Sequence, residues 1–224
     1  MNKIISPPPP SIACILMASG QGKRFGANKL LADFHGKPLF AQMLSTTDLP
    51  VLFTTRLVVT IHPQIQELCL SYQQPHLSTQ VLLHSEPNRN DAIRLAMEQL
   101  QPLHPNGCMF CPGDQPMLSQ ESLRSLVHAF QKEPDFIWRL SFDGRPGSPV
   151  IFPSRFFPEL MTLPEKKGGS FVIQKYPELV RTVSAQDAVE LMDVDTQEDL
   201  DYLHRYRSRV SCTRRSAARD NGTD

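Results

Sequence analysis

Residues 12–29 read Ile-Ala-Cys-Ile-Leu-Met-Ala-Ser-Gly-Gln-Gly-Lys-Arg-Phe-Gly-Ala-Asn-Lys, an unbroken apolar run followed at once by a loop of three glycines and three cations. Seven consecutive apolar residues, 12–18, fit a strand covered on both faces in a parallel sheet, because a strand with one wet face alternates apolar and polar side chains. Gly20, Gly22 and Gly26 let backbone N–H groups turn inward toward an anion, and Lys23, Arg24 and Lys29 add positive charge within seven residues. That composition suits a triphosphate.

Spacing excludes two other phosphate loops. A dinucleotide fingerprint G-x-G-x-x-G needs glycine at position 25, where Phe25 stands, and the second apolar run ends in Ile61-His62-Pro63 with no acid. A Walker loop needs Gly-Lys followed by Ser or Thr, whereas Gly22-Lys23 is followed by Arg24.

Beyond the loop, strand and helix patterns alternate. Apolar runs at 56–61, 80–84, 107–111 and 136–142 predict strands, and Val150-Ile151-Phe152 a short one. Helices are predicted from Pro63, over 91–100, from an Ser119 N-cap to about residue 130, and over 200–206 behind the capping-box sequence Thr196-Gln-Glu-Asp199. This order predicts an α/β fold, a Rossmann-like, doubly wound, mostly parallel sheet with helices on both faces and sites at the strands' carboxyl ends. The stretch from Gly144, Gly-Arg-Pro-Gly-Ser-Pro, changes texture and reads as a substrate-facing insertion.

The chain has 224 residues, 40% hydrophobic, 21% charged and 8% aromatic, which suits one folded domain and excludes a disordered, coiled-coil or collagen-like chain. We place that domain at 12–206, with a proline-rich disordered leader at 1–11 and a disordered basic tail at 207–224. Lys plus Arg and Asp plus Glu number 23 each, so no global field draws nucleic acid or a membrane surface. No apolar run reaches the roughly 20 residues of a spanning helix. The residues before 12 lack a secretory h-region. Five scattered cysteines resemble no disulfide framework, and a reducing cytoplasm is the expected home. Cys108-x-x-Cys111 has redox spacing but sits in a strand, where its thiols face opposite sides, and no His or Cys set completes a zinc site. The seven histidines read as surface residues.

Two acidic motifs face the loop. Cys111-Pro112-Gly113-Asp114-Gln115-Pro116 delivers a carboxylate at a strand end, and one such carboxylate plus phosphate oxygens and water satisfies Mg²⁺. In Met192-Asp193-Val194-Asp195-Thr196 the two acids share one face of an extended chain, although Asp195 could instead cap the last helix.

The loop 16–29 resembles the L-A-A-G-x-S-x-R-x-G-x-x-K signature of MobA-like nucleotidyltransferases. Gly113-Asp-Gln-Pro116, Gly147-Ser-Pro-Val-Ile-Phe152 and Asp193-Val-Asp-Thr-Gln-Glu-Asp-Leu200 resemble three further landmarks in the same order. The Gly-Asp-Gln-Pro form is similar to molybdenum cofactor cytidylyltransferases, which join CMP to molybdopterin and release pyrophosphate. The resemblance implies that Ala18, Ser19, Gly20, Gly22, Lys23, Asn88 and Gly113 line the nucleotide. Arg24 and Lys29 hold its triphosphate, Asp114 and Asp195 bind Mg²⁺, and Gly147, Ser148 and Pro149 meet the acceptor. Arg24, Lys29 and Asp114 are the implied catalytic residues, and CTP (or another NTP), a molybdopterin-type phosphate acceptor and a molybdenum hydroxylase the implied partners. Ser19 stands where the family usually has alanine, and Gly22 where it has serine. The rival readings are a guanylyltransferase on molybdopterin, a cytidylyltransferase on a sugar or polyol phosphate, and a non-catalytic carrier of the finished cofactor.

Overall fold

A computed structural model of the chain describes the backbone of residues 8–20, 22, 24–72, 77–85 and 88–220, with side chains through 209. The apolar run is strand β1 (Ile12–Ala18), and its side chains divide between two cores. Ile12, Cys14, Leu16 and Ala18 face one, Ala13 and Ile15 the other, which is why no polar residue interrupts the run.

Six more strands follow: β2 (Thr55–Thr60), β3 (Thr79–Leu83), β4 (Gly107–Pro112), β5 (Ile137–Phe142), β6 (Arg145–Pro153) and β7 (Val180–Ser184). The described residues form one seven-stranded sheet in the order β3-β2-β1-β4-β6-β5-β7, parallel throughout except that β6 runs against β4 and β5. Chain order reverses at β1 and β4, so their carboxyl ends open the crevice of a doubly wound sheet.

The helices are α1 (Leu39–Thr46), α2 (Pro63–Ser71), α3 (Arg89–Leu100), α4 (Gln120–Lys132), α5 (Phe157–Met161), α6 (Ser170–Lys175) and α7 (Gln197–Asp220). The first core packs α1, α2, α4 and α7 on one sheet face, through side chains such as Phe40, Ile65, Leu126 and Leu203. On the other face α3, α5 and α6 contribute Ile93, Leu160 and Val172. Each such apolar side chain, fully buried, is worth about 1.5–3 kcal/mol. Among the described helices none is long and apolar enough to cross a membrane.

Local signals match the elements they start. Pro63 opens α2 from its first turn, and Ser119 caps α4 by accepting from the Ser122 N–H. Two expectations need correcting. The strand predicted at 150–152 is the nine-residue β6, hairpinned to β5 through Asp143-Gly144, both at positive φ (48° and 72°). Asp-Gly is the type I′ hairpin dipeptide, so the stretch from Gly144 is sheet rather than insertion. The last helix does not stop near 206: α7 runs to Asp220, so residues 207–220 are helical where a disordered tail was predicted. No proline or glycine interrupts 207–220, and Arg and Ala are good helix formers. Residues 1–7 of the predicted leader and 221–224 of the tail lie outside the described residues.

Cys108 faces the second core and Cys111 the first, as the strand period requires. Burial pushes both thiols up, away from the reactive thiolate.

Candidate active site

The glycine loop leaves β1 at the switch point. Gly22 adopts φ +60°, and a Cβ there would lie 2.3 Å from the Ala27 carbonyl oxygen, so only glycine permits this turn. The Phe25 and Gly26 amides donate to the Gly22 carbonyl and close the loop. Asn28 then caps a 3-10 turn, Lys29–Leu31, by accepting from the Leu30 N–H, which fixes the stem of Lys29. Lys23 and Gln21 lie outside the described residues.

From β4, the Gly113 amide donates to the Met17 carbonyl at 2.9 Å. A Cβ on Gly113 would meet that oxygen at 2.9 Å and the Phe40 ring at 3.1 Å. The glycine therefore lets the turn press against the end of β1, and the next residue, Asp114, is delivered beside the loop. The Val194 amide donates to the Asp114 carbonyl at 2.9 Å, stitching the second acidic segment to the first.

Lys29 joins the three pieces. Its Nζ lies 2.6 Å from Asp114 Oδ2 and 2.9 Å from Asp195 Oδ1, while Arg24 Nη2 reaches Asp195 Oδ2 at 2.7 Å. Lys29 is only 8% exposed. Burial by itself lowers its pKa, yet the charge of Asp114 and hydrogen bonds to both carboxylates outweigh it and hold the ammonium above its ordinary value. The Lys29 hydrogen bond draws the Asp195 carboxyl below its ordinary range, with the charge of Arg24 adding to it.

Asp195 is free for this role because it does not cap α7. The Asp199 carboxylate accepts from the Asp195 and Thr196 amides, and Thr196 Oγ1 accepts from the Asp199 N–H, a reciprocal capping box. Residues 192–196 lie outside any strand, but Asp193 still points inward, its Oδ1 accepting from Gln115 Nε2 at 2.8 Å. Burial, reinforced by the charge of Asp114, raises the Asp193 carboxyl above its ordinary value.

Ser19 Oγ lies 3.1 Å from the Val59 carbonyl and 2.8 Å from His84 Nε2, and His62 Nε2 donates to the Gly20 carbonyl at 2.9 Å. Two histidines predicted to be surface residues thus brace the loop from the ends of β2 and β3. Asn88 opens α3 at this same end of the sheet. Gly147, Ser148 and Pro149 precede Val150, which pairs with Phe110, so they run beside the end of β4. A Cβ on Gly147 would lie 2.9 Å from Leu191 Cδ1, so a larger residue there would have to push that side chain aside. Gln115, Asn28, His62 and His84 escaped prediction because single polar residues carry no spacing signal until the fold converges them.

The donor set fits a divalent cation with a polyphosphate. Asp114 and Asp195 supply carboxylate oxygens around one point, and a magnesium-like ion completes its shell with water and phosphate oxygens. Among the described residues no group of three His, Cys, Asp or Glu side chains could hold a metal alone. The Asn28 amide nitrogen and the Gln115 amide oxygen are buried without partners at the same site, polar capacity left for a ligand.

Comparisons with known proteins give the family and the fold. The model of the MobA-like NTP transferase domain matches residues 14–181. The purine catabolism protein PucB of Bacillus subtilis is 26% identical over 206 residues, 89% of this chain and 98% of PucB. The crystal structure of Rv0371c from Mycobacterium tuberculosis superposes with a TM-score of 0.72 at 21% identity, covering 87% of this chain and 98% of that one. Its manganese complex gives 0.68 at 19% identity over 87% and 98% of the two chains. A 4-diphosphocytidyl-2C-methyl-D-erythritol synthase from Anaerococcus prevotii gives 0.70 at 15% identity, over 89% of this chain and 99% of its own. With three-quarters of its length matched by that family model, and with a glycine loop, a buried lysine and paired acids at the switch point, the chain belongs to the MobA-like NTP transferase family and is a nucleotidyltransferase.

Proposed function

We propose that the chain transfers CMP from CTP to the phosphate of molybdopterin in the presence of Mg²⁺ and releases pyrophosphate. One observation carries the reading: Lys29 is buried between Asp114 and Asp195, beside a loop only glycine can form, so one point offers both cations for phosphates and carboxylates for a metal. A pure carrier of finished cofactor gains nothing from such a pairing. The metal is supported by the manganese complex of Rv0371c, and the cytidylyl group by the Gly113-Asp-Gln-Pro116 form and by the name of the Anaerococcus relative. The molybdopterin acceptor rests on the motif resemblance, with a molybdenum hydroxylase as the partner that would receive the product.

In the reaction an oxygen of the acceptor phosphate forms a bond to the α-phosphorus of the nucleotide. The bond from that phosphorus to the bridging β-oxygen breaks, and pyrophosphate leaves with the electron pair. No protein nucleophile is needed, so the chain's task is alignment and charge neutralisation. Lys29 and Arg24 exchange their carboxylate partners for phosphate oxygens, while loop amides after β1 hold the chain of phosphates. Asp114 and Asp195 would hold Mg²⁺, which would supply positive charge against the negative charge that develops during transfer. The test is pyrophosphate release with each NTP, Mg²⁺ and molybdopterin. Release with CTP alone is expected; release with GTP alone replaces the base assignment, and no release with any NTP favours the carrier.

A further inference from the structure

The sequence places a charge where a doubly flanked strand usually has none. Strand β5 lies between β6 and β7, and Arg139 sits opposite Val150 on one side and Thr182 on the other. Its guanidinium is half-buried, and burial draws its pKa below the ordinary arginine value. Among the described residues no carboxylate pairs with it. Nε and Nη2 both donate to one acceptor, the Gly147 carbonyl, at 3.0 and 2.8 Å. Three of the five N–H donors of an arginine are left over.

Arg56 shows what a structural arginine looks like in this fold. At 1% exposure it donates to the Leu44 carbonyl, Thr47 Oγ1 and Thr79 Oγ1, three separate acceptors that satisfy it without any ligand. Arg139 has one acceptor and a partly open face. A cation held by a carbonyl, desolvated and lacking a counter-charge, gains most from an anion that arrives from outside.

Its place tells which anion. Strands β4 and β5 both run against β6, so they point the same way, and the Arg139 side chain reaches over β6 to Gly147 at the carboxyl end. Neighbouring strands lie about 4.8 Å apart, which puts the guanidinium within about 5–10 Å of the end of β4, where Asp114 is held. That span suits a phosphate whose oxygen attacks a phosphorus bound over Asp114. We propose that Arg139 binds the phosphate of the acceptor, a phosphomonoester, and orients it for attack. This deepens the nucleotidyl-transfer reading and rests on it. Arg139 holds the acceptor dianion by charge-assisted N–H bonds, while the Gly147 carbonyl locks the guanidinium plane.

The experiment titrates inorganic phosphate into the full chain loaded with Mg²⁺ and α,β-methylene-CTP, which fills the loop and cannot react, with binding read by calorimetry. Wild type is expected to bind phosphate, Arg139→Gln at least tenfold more weakly, and Arg139→Lys in between, because lysine keeps the charge and loses the fork. Glutamine can still donate to the Gly147 carbonyl, so thermal unfolding of both variants separates the roles. A Gln variant that is less stable yet binds phosphate as wild type does would make Arg139 structural and overturn the proposal. Equal phosphate affinity in all three proteins would overturn it too. If the nucleotide analogue itself does not bind, the nucleotidyl-transfer reading fails, and the same phosphate titration of wild type against Arg139→Gln still decides the arginine's role.

Discussion

At the β1–β4 end of the crevice Lys29 and Arg24 each face a carboxylate, whereas Arg139, on β5 two strands beyond β4, faces only a backbone carbonyl. The first region is electrically closed: two cations cancel two carboxylates, and Lys29 is buried because they cancel. To open it a ligand must replace both halves, phosphate oxygens for the cations and a metal for the acids. The second region is open to a bare anion, since nothing there has to be displaced. On the proposed reading, two kinds of phosphate, one arriving with a metal and one without, would have two differently prepared sites on one sheet edge.

The strongest way to break that contrast is to remove Lys29. Lys29→Met leaves Asp114 and Asp195 facing each other without a cation and takes away a donor to the phosphates. Turnover in a pyrophosphate-release assay is expected to fall by about a hundredfold or more, as it does when other preorganised charge partners are lost. Asp114→Asn is expected to cost as much. Near-normal turnover in either variant removes that residue from the chemistry.

A middle-sized effect probes the seam between the regions. Leu191 touches the Gly147 backbone, and its carbonyl accepts from Gln115, which also holds Asp193. Gly147→Ala should destabilise the chain by about 1–3 kcal/mol through overpacking, measured by denaturant unfolding. Adding Leu191→Ala should return part of that loss, because the clash is with a side chain; strict additivity of the two changes would show that they do not meet.

The smallest effect concerns acid. The folded Asp195 carboxyl lies below its ordinary 3.8, so its pairing stabilises the fold above that pH and is lost as pH falls through the lower folded value. Asp195→Asn should therefore lower stability slightly above about pH 4, leave it unchanged in strong acid, and so flatten the acid limb between them. The side chain is 35% exposed, so solvent screening keeps the difference small. An unaltered acid limb in thermal unfolding would separate Asp195 from the charge cluster.

Much of this was legible along the chain wherever a physical requirement is local. The two-faced burial of β1, the proline start of α2, the Ser119 cap and the Thr196–Asp199 box each depend on neighbours a few residues away. The hairpin at Asp143-Gly144 was also written locally, as a turn dipeptide, but the prolines and glycines around it masked the strand that follows. The run of α7 to Asp220 is hidden for a different reason: its density of arginines resembles a disordered tail, although arginine and alanine favour helix.

The glycine loop, the strand-end acid and their order were determined by sequence alone, because a phosphate turn needs glycine at fixed offsets and a parallel sheet delivers residues to one edge. Tertiary structure alone decided the partners. That Lys29 takes both Asp114 and Asp195, and that Arg24 joins it on Asp195, are facts about residues up to 171 positions apart. Spacing cannot encode them, since electrostatic pairing depends on distance in space and on how much water the packing leaves.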